Sequence, residues 1–264
     1  MTGTGASPEV LLVVPTLGQR NDLLRLTLQS IRAQDVATEV VVVSPSHDAE
    51  LAALCEEFEA ELLPDPGSLP GAINYGIERR LSSHAYVGWL NDDDLLEPGS
   101  VATTTSVLRE NPDAVVTFGS CRYIDAGGRH LWVSKAGAWA PRILKWGPDL
   151  IPQPGMLVRA DAWRAIGGLD TSYQLAFDLD LLLRLQRLGS LLDTGAIVSS
   201  FRWHADSLTV DDRRTNLAES ERAKRTALSP FARKVAWLWE PPVRWATNMA
   251  VREVNRRAAR LSAG

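Results

Sequence analysis

Short apolar runs alternate with segments of helical spacing through the first half of the chain. The predicted buried strands are Val10–Val14, Val40–Val43, Glu61–Leu63 and Tyr86–Leu90. Leucines at helical spacing follow the first strand, with Asn21 or Asp22 as the expected cap, and residues 49–60 and 71–81 form further predicted helices. Strands separated by helices of this length pair in parallel through right-handed crossovers. The pattern therefore predicts an α/β fold with a mostly parallel central sheet flanked by helices.

The second half of the chain has a less regular pattern. Its predicted elements are strands at Ala114–Phe118, Arg122–Asp125 and Met156–Arg159 and helices at Ala160–Ile166 and Asp178–Leu188. The stretch Gly137–Pro154 is rich in Pro, Gly and Trp, which indicates irregular structure. Strand signal is weak beyond Ser207, which predicts a C-terminal helical tail. We divide the chain into halves at residues 1–115 and 116–210 and a tail at 211–264.

Three polar loops follow predicted strands of the first half. They are Pro15–Asp22, Ser44–Asp48 and the aspartates Asp92–Asp94. In parallel sheets, ligands bind beyond the carboxyl ends of the strands. We therefore expect the three loops to line one crevice.

The aspartate loop is the strongest chemical signal. Adjacent carboxylates repel one another, so a fold that holds Asp92, Asp93 and Asp94 together must supply positive charge. Mg²⁺ or Mn²⁺ is the simplest candidate, because hard divalent cations prefer oxygen ligands. The alternative is a solvated turn in which one aspartate caps the helix that begins near Pro98.

Composition narrows the class of protein. The 264 residues, 45% of them hydrophobic, can bury a substantial core, and a net charge of −4 argues against a general nucleic-acid binder. Ten Lys/Arg against four Asp/Glu nevertheless give residues 219–264 a local charge of +6. Two cysteines are too few for a disulfide framework, and the sequence has neither a bilayer-spanning apolar run nor a signal peptide. These features predict a cytoplasmic protein, either soluble or peripheral at the membrane.

Several motifs, in order over residues 8–210, resemble those of family 2 glycosyltransferases of the GT-A fold. They are Val13–Thr16 with Gln29–Ile31, Gly71–Gly76, Leu90–Asp94 with Pro98–Gly99, Gly167–Asp170 with Phe177–Arg184, and Phe201–His204. The resemblance implies a Rossmann-like GT-A domain whose first half binds a nucleotide sugar and whose second half binds an acceptor. It also implies inverting, metal-dependent transfer of a sugar to an acceptor hydroxyl, in cell-surface glycan or glycolipid assembly.

The same resemblance assigns roles to single residues. The implied nucleotide-sugar contacts are Pro15, Thr16, Leu17, Asp48, Asn74, Asn91 and Asp92. The implied metal ligands, for Mn²⁺ or Mg²⁺, are Asp93, Asp94 and His204. Asp178 is the implied general base, with a helix N-cap as its alternative role, and His204 has the alternative of an ordinary packed histidine.

Three positions depart from the family pattern. Ser44-Pro45 stands where the family usually has an aspartate after the second strand, and Asp48 is the nearest substitute. Asn91 replaces the leading aspartate of the aspartate motif, and Phe177 replaces a common glutamate before the base. These changes concern the nucleotide more than the reaction. We expect a UDP- or dTDP-linked sugar, with GDP as the alternative.

The acceptor side has weaker candidates. Gln153 precedes a Pro-Gly turn, and Trp139 and Trp146 lie where an indole face can stack on a sugar, with core packing as their alternative role. The tail combines Trp with Lys and Arg in the manner of interfacial helices. That composition suits a glycan or lipid-linked acceptor and peripheral contact with the inner face of the membrane. The alternative is a helix packed on the domain.

Two other functions fit parts of the sequence. A sugar-1-phosphate nucleotidyltransferase shares the α/β layout and carboxylate-bound Mg²⁺, but its expected Gly-rich loop is not present in Pro15–Arg20. A non-catalytic scaffold that binds sugar nucleotides would fit Ser44 and Asn91.

Overall fold

The computed structural model describes residues 8–134, 137–203, 213–234, 237, 241–243 and 249. The strands in those residues are β1 Val10–Pro15, β2 Thr38–Ser44, β3 Glu61–Pro64, β4 Tyr86–Trp89, β5 Leu95–Leu96, β6 Ala114–Ile124, β7 His130–Ser134, β8 Leu157–Arg159 and β9 Ser190–Arg202. The helices are α1 Asn21–Arg32, α2 Ala49–Glu57, α3 Leu69–Glu78, α4 Ser100–Glu110, α5 Ala140–Ile143, α6 Ala160–Ile166, α7 Phe177–Leu185, α8 Arg213–Ala227 and α9 Pro230–Lys234.

The strands form one sheet in the order β3-β2-β1-β4-β8-β6-β9-β5, with β7 paired to β6. The first four strands pair in parallel, as the alternation of strands and helices predicted. Strand β8 then runs antiparallel between β4 and β6, and β6 pairs in parallel with β9. The sheet is therefore parallel in its first half and mixed in its second, and the carboxyl ends of β1, β2 and β4 lie at one edge.

The apolar runs are strands covered on both faces. Along β1, Leu11 and Val13 belong to the core under α3, α6 and α7, whereas Val10, Leu12 and Val14 belong to the core under α1, α2 and α4. A side-chain period of two delivers alternate residues to the two cores, which explains why every position is apolar. Each fully buried Val or Leu contributes about 1.5–3 kcal/mol to the free energy of folding.

Helix α3 approaches the sheet through a glycine. A Cβ on Gly76 would lie 2.8 and 2.9 Å from the two γ-carbons of Val13. Only a residue without a side chain allows α3 this close to β1, and this contact sets the height of α3 above the sheet.

The second half of the sheet departs from the prediction. Strand β6 is continuous across the break that we predicted between Phe118 and Arg122, and β9 was not predicted at all. The two strands shift register against each other around Ser120, where a Cβ on Gly119 would lie 2.7 Å from the carbonyl oxygen of Ala196. The polar and glycine residues that interrupt both apolar patterns therefore belong to one bulged strand pair.

Two predicted caps are also wrong. Helix α1 begins at Asn21 with Arg20 as its N-cap residue and no capping side chain, so neither Asn21 nor Asp22 caps it. Helix α4 begins at Ser100 after Gly99, again without a capping side chain. The alternative in which an aspartate of the cluster caps this helix is therefore excluded.

Helix α8 packs against the second half of the domain. It contacts α7, and Ala223 is buried in the same core as α7. Among the helices that the structure describes, none is long and apolar enough to span a bilayer.

Candidate active site

The three aspartates lie in a tight turn after β4, and each has a different environment. The N–H of Asp94 donates to the carbonyl of Asn91 and closes the turn. The Asp94 carboxylate is fully buried; it accepts the N–H of Arg202 at 3.1 Å and the side-chain amide of Asn91 at 3.1 Å. Burial, with Asp93 next to it, raises the pKa of Asp94 well above its usual range. Asp94 thus joins the turn to the end of β9.

Asp92 and Asp93 face a cation that the protein itself supplies. The guanidinium of Arg20 donates to Asp92 at 2.5 Å and to Asp93 at 2.7 Å, and the hydroxyl of Thr16 donates to Asp92 at 2.6 Å. Burial raises the pKa of Asp92, although Thr16 and Arg20 both act to lower it. The positive charge that the clustered aspartates require is therefore supplied by Arg20, in the loop after β1.

Arg20 was missed in the sequence analysis. The available signal was a basic residue just before α1, in a loop already expected to face the aspartates. Arg20 is the only Arg or Lys in the three loops expected to meet, so charge complementarity could have singled it out. The folded structure adds that its guanidinium reaches both Asp92 and Asp93.

The loops after β1 and β2 contact each other, as expected for one crevice. A Cβ on Gly18 would lie 2.8 Å from the Cβ of Ser46. Pro15 ends β1, Thr16 is buried, and Leu17 is exposed at the tip of its loop. Asp48 caps α2: its carboxylate accepts the N–H of Leu51 and the hydroxyl of Ser46, both at 2.8 Å. A nucleotide contact by Asp48 stays a prediction.

Asn74 connects the two halves of the domain. Its amide nitrogen donates to the carbonyl of Leu169, and its amide oxygen accepts the N–H of Leu169, each at 2.8 Å. The side chain therefore joins α3 to the turn at Gly167–Asp170, between α6 and α7. Its proposed contact with a nucleotide is untested.

Asp178 is the second residue of α7, and Ala176 is the N-cap residue, so Asp178 is not the cap. One carboxylate oxygen accepts the N–H of Leu179 at 2.8 Å. Burial raises the pKa of Asp178 to about 6. Burial, together with the charge of nearby Asp178, also raises the pKa of Asp149 to about 7. A carboxyl with a pKa near neutrality suits proton transfer. Asp149 was missed because it lies in the stretch that we predicted to be irregular.

Packing places the start of α7 beside the strand that carries the aspartates. The rings of Phe177 and Trp89 lie 6.2 Å apart between centroids. The side-chain amide of Gln153 donates to the carbonyl of Trp89 at 2.9 Å. Trp139 and Trp146 are 49% and 43% exposed, so the alternative of core packing is wrong for both. The acceptor candidate Gln153 therefore lies at the end of β4.

The sequence matches one known protein family over most of its length. Residues 8–224 match the profile of the family described as "Glycosyltransferase like family 2". The chain belongs to this family. Its residues 8–224 are thus a family 2 glycosyltransferase domain, which decides against the nucleotidyltransferase alternative.

A curated relative is also found. The chain is 28% identical over 189 residues to "Uncharacterized protein y4gI" of Sinorhizobium fredii; the match covers 67% of this chain and 20% of that protein. The chain thus spans about a fifth of the length of this relative.

Solved structures of similar fold include a mannosyltransferase. S. aureus TarS (residues 1–349) superposes with a TM-score of 0.59 at 15% identity, over 83% of this chain and 69% of that one. The mannosyltransferase PcManGT from Pyrobaculum calidifontis, in complex with GDP-Man and Mn²⁺, superposes with a TM-score of 0.60 at 15% identity, over 97% of this chain and 79% of that one. At this identity the likeness concerns the fold, which is GT-A.

The donor atoms of this glycosyltransferase fit a hard cation in part. Among the residues that the structure describes, no group of three or more His, Cys, Asp or Glu side chains is arranged to hold a metal ion. Asp92 and Asp93 do present adjacent carboxylates, and Mg²⁺ commonly takes one or two carboxylates and completes its shell with phosphates and water. Asp94 fits less well than expected, because protein donors engage both of its oxygens. His204 lies outside the described residues.

Proposed function

We propose that this chain transfers a sugar from a nucleoside diphosphate sugar to an acceptor hydroxyl, with inversion at the anomeric carbon. The observation that carries the proposal is that two sets of carboxyl groups lie on elements that pack together: Asp92 and Asp93 in the turn after β4, and Asp178 at the start of α7, with Asp149 nearby. Asp92 and Asp93 follow this strand directly, and Phe177, the neighbour of Asp178, packs on Trp89. One set suits the leaving diphosphate and the other suits the attacking hydroxyl.

In the proposed reaction, Asp178 takes the proton of the acceptor hydroxyl. The acceptor oxygen then forms a bond to the anomeric carbon while the bond from that carbon to the diphosphate breaks, and the nucleoside diphosphate leaves. Attack opposite the leaving group inverts the configuration. A pKa of about 6 keeps Asp178 ionised at neutral pH and still basic enough to accept a proton.

The leaving diphosphate needs positive charge. Mg²⁺ or Mn²⁺ held by Asp93, with Asp92 beside it, would supply Lewis acidity to the departing phosphate oxygens. Arg20, which now bonds both carboxylates, is close enough to provide a second cation for the same phosphates. Thr16 donates a hydrogen bond to Asp92, and Asn91 precedes Asp92 in the sequence. Both side chains can bond a ribose or phosphate there.

The donor and acceptor are proposed by chemical class. We propose a UDP- or dTDP-linked sugar, with a GDP-linked sugar as the alternative, and a glycan or lipid-linked acceptor. Exposed Trp139 and Trp146 suit stacking on a sugar ring. Exposed Phe231 and Trp237 in the basic tail support contact with the cytoplasmic face of the membrane.

A thermal-shift panel of UDP, GDP, dTDP and CDP tests the proposal, each nucleotide with Mn²⁺, Mg²⁺ or EDTA. A nucleotide at a hundred times its dissociation constant stabilises the protein by about 2.7 kcal/mol. We expect a metal-dependent shift with one diphosphate that is lost in Asp93→Ala. Hydrolysis of the matching sugar nucleotide, abolished in Asp178→Asn, then separates an enzyme from a scaffold. No shift with any nucleotide would refute the site.

A further inference from the structure

One carboxylate of α8 holds the turn that precedes α7. The backbone N–H groups of Gln174, Leu175 and Ala176 donate to the carboxylate of Glu219 at 2.8, 2.8 and 3.0 Å. Burial alone would raise the pKa of Glu219, but the three donors lower it overall. Hydrogen bonds to an ionised acceptor are about twice as strong as neutral ones. Glu219 therefore fixes the turn two residues before Asp178.

The same helix reaches the segment that carries Asp149. The ammonium of Lys224 donates to the carbonyl of Gly147 at 2.5 Å. Burial lowers the pKa of Lys224, against the opposing charges of Asp149 and Glu221. In return, the charge of Lys224 acts to lower the pKa of Asp149, which burial and Asp178 raise. Helix α8 thus contacts both stretches that supply the two acceptor-side carboxyl groups.

We propose that Glu219 and Lys224 of α8 are positioning residues of the acceptor half of the site. Glu219 holds the turn that delivers Asp178, and Lys224 balances the charge of Asp149, the carboxyl group next to Asp178. This inference rests on the proposed function, in which Asp178 is the base.

The proposal has a geometric consequence. With Glu219 replaced, three backbone donors lose their acceptor and the turn before α7 becomes free to move. A displacement of about 1 Å in a reacting group costs on the order of 10²-fold in rate. Donor binding depends on the loops after β1 and β4, which α8 does not hold, so it should stay the same.

It also has an electrostatic consequence. Among the described residues, Lys224 is the opposite charge that acts on Asp149, and Glu221 of α8 acts in turn on Lys224. Without the Lys224 charge, the pair of Asp149 and Asp178 keeps its proton to a higher pH. Asp178, the proposed base, then loses its proton only at a higher pH, so the acidic limb of the rate profile moves to higher pH.

The first experiment compares Glu219→Gln and Glu219→Ala with the control Glu110→Gln, which changes an exposed glutamate at the end of α4. The readouts are donor hydrolysis, donor dissociation constant and amide hydrogen exchange, in the full chain with the sugar nucleotide found by the panel. We expect kcat to fall on the order of 10-fold in Glu219→Gln and 10²-fold in Glu219→Ala. Donor affinity should stay within about twofold, and amides 174–179 should exchange faster.

The second experiment compares Lys224→Met with Lys234→Met on α9. We expect only Lys224→Met to move the acidic limb of kcat to higher pH, with rates at pH 9 within about twofold of wild type. A purely structural role would lower kcat equally at every pH.

The outcomes separate the two proposals. If the wild type hydrolyses the donor and both Glu219 variants have the same kcat and amide exchange as the wild type, the role of Glu219 is overturned. If the acidic limb of kcat is not shifted in Lys224→Met, the role of Lys224 is overturned. A wild-type protein that binds no nucleoside diphosphate overturns the proposed function and this inference with it.

Discussion

Arg20 pairs with two nearly buried carboxylates, and its removal should destabilise the protein more than the removal of an ordinary surface arginine. Arg20→Met takes the guanidinium from Asp92 and Asp93, whose side chains are only 7% and 10% exposed. Breaking a buried pair costs about 3–5 kcal/mol, whereas exposed pairs contribute about 0–1 kcal/mol. The Arg20 side chain is itself 41% exposed, so water screens part of the interaction. We expect a loss of about 1–2 kcal/mol.

Arg25 provides a matched control in the same helical segment. Its side chain is 42% exposed, close to that of Arg20, but its partner Glu57 is 51% exposed. Arg25→Met is therefore the same substitution at similar exposure, and it differs in the burial of the partner. We expect its effect on stability to be clearly smaller than that of Arg20→Met, because solvent screens an exposed pair.

Denaturant unfolding of both variants at pH 8 measures the difference. In a protein of this size about 1 kcal/mol corresponds to 2–4 °C in Tm, so thermal scans give an independent reading. The destabilisation by Arg20→Met should also shrink as the pH falls. Without Arg20 the pKa of Asp92 rises further above its unfolded value, so the folded variant binds a proton before the unfolded chain does, and acid relieves the uncompensated charge.

Two results would refute this reasoning. One is an equal loss of stability in Arg20→Met and Arg25→Met at pH 8. The other is an Arg20→Met penalty that is constant from pH 8 to pH 4.5, which would mean that lost packing, rather than charge, accounts for the cost.

Three further predictions concern other parts of the structure. Asp178→Asn should lower kcat by about 10²–10⁴-fold with native circular dichroism; activity within tenfold of wild type would exclude Asp178 as the base. Asp149→Asn should flatten the pH dependence of unfolding free energy between about pH 4 and 7. The raised pKa of Asp149 makes the folded state hold a proton that the unfolded chain releases in that window, so wild-type stability falls as pH rises there. Gly76→Ala should cost about 1–3 kcal/mol in urea unfolding, because the added methyl meets Val13; an unchanged midpoint would show that α3 can shift.

The first half of the fold was predictable because its information is local. Val10–Val14 of β1 and Val40–Val43 of β2 alternate between the two cores, so each of these residues must be apolar. A continuous apolar run between helices is typical of a strand buried on both faces. The meeting of the loops after β1, β2 and β4 follows from parallel pairing alone. For this reason the sequence predicted that these loops meet, and Thr16 and Asp92 lie in hydrogen-bond contact where they do.

The second half was less predictable because its strands depend on distant partners. Gly119 and Gly195 interrupt β6 and β9, and local propensity treats such residues as breaks. Long-range pairing overrides that preference, since the bulged register of the two strands accommodates both.

The sequence alone determined the family, the meeting of the loops after the first strands and the candidate carboxylates, because motif spacing and strand periodicity are properties of neighbouring residues. Only the tertiary structure decided how those carboxylates differ: Asp94 is buried against Arg202, and Asp92 and Asp93 share Arg20. It likewise brought Glu219 to the turn before α7, across 43 positions of sequence. Burial and partner charge depend on elements far apart in the chain, and they are what distinguish one aspartate from the next.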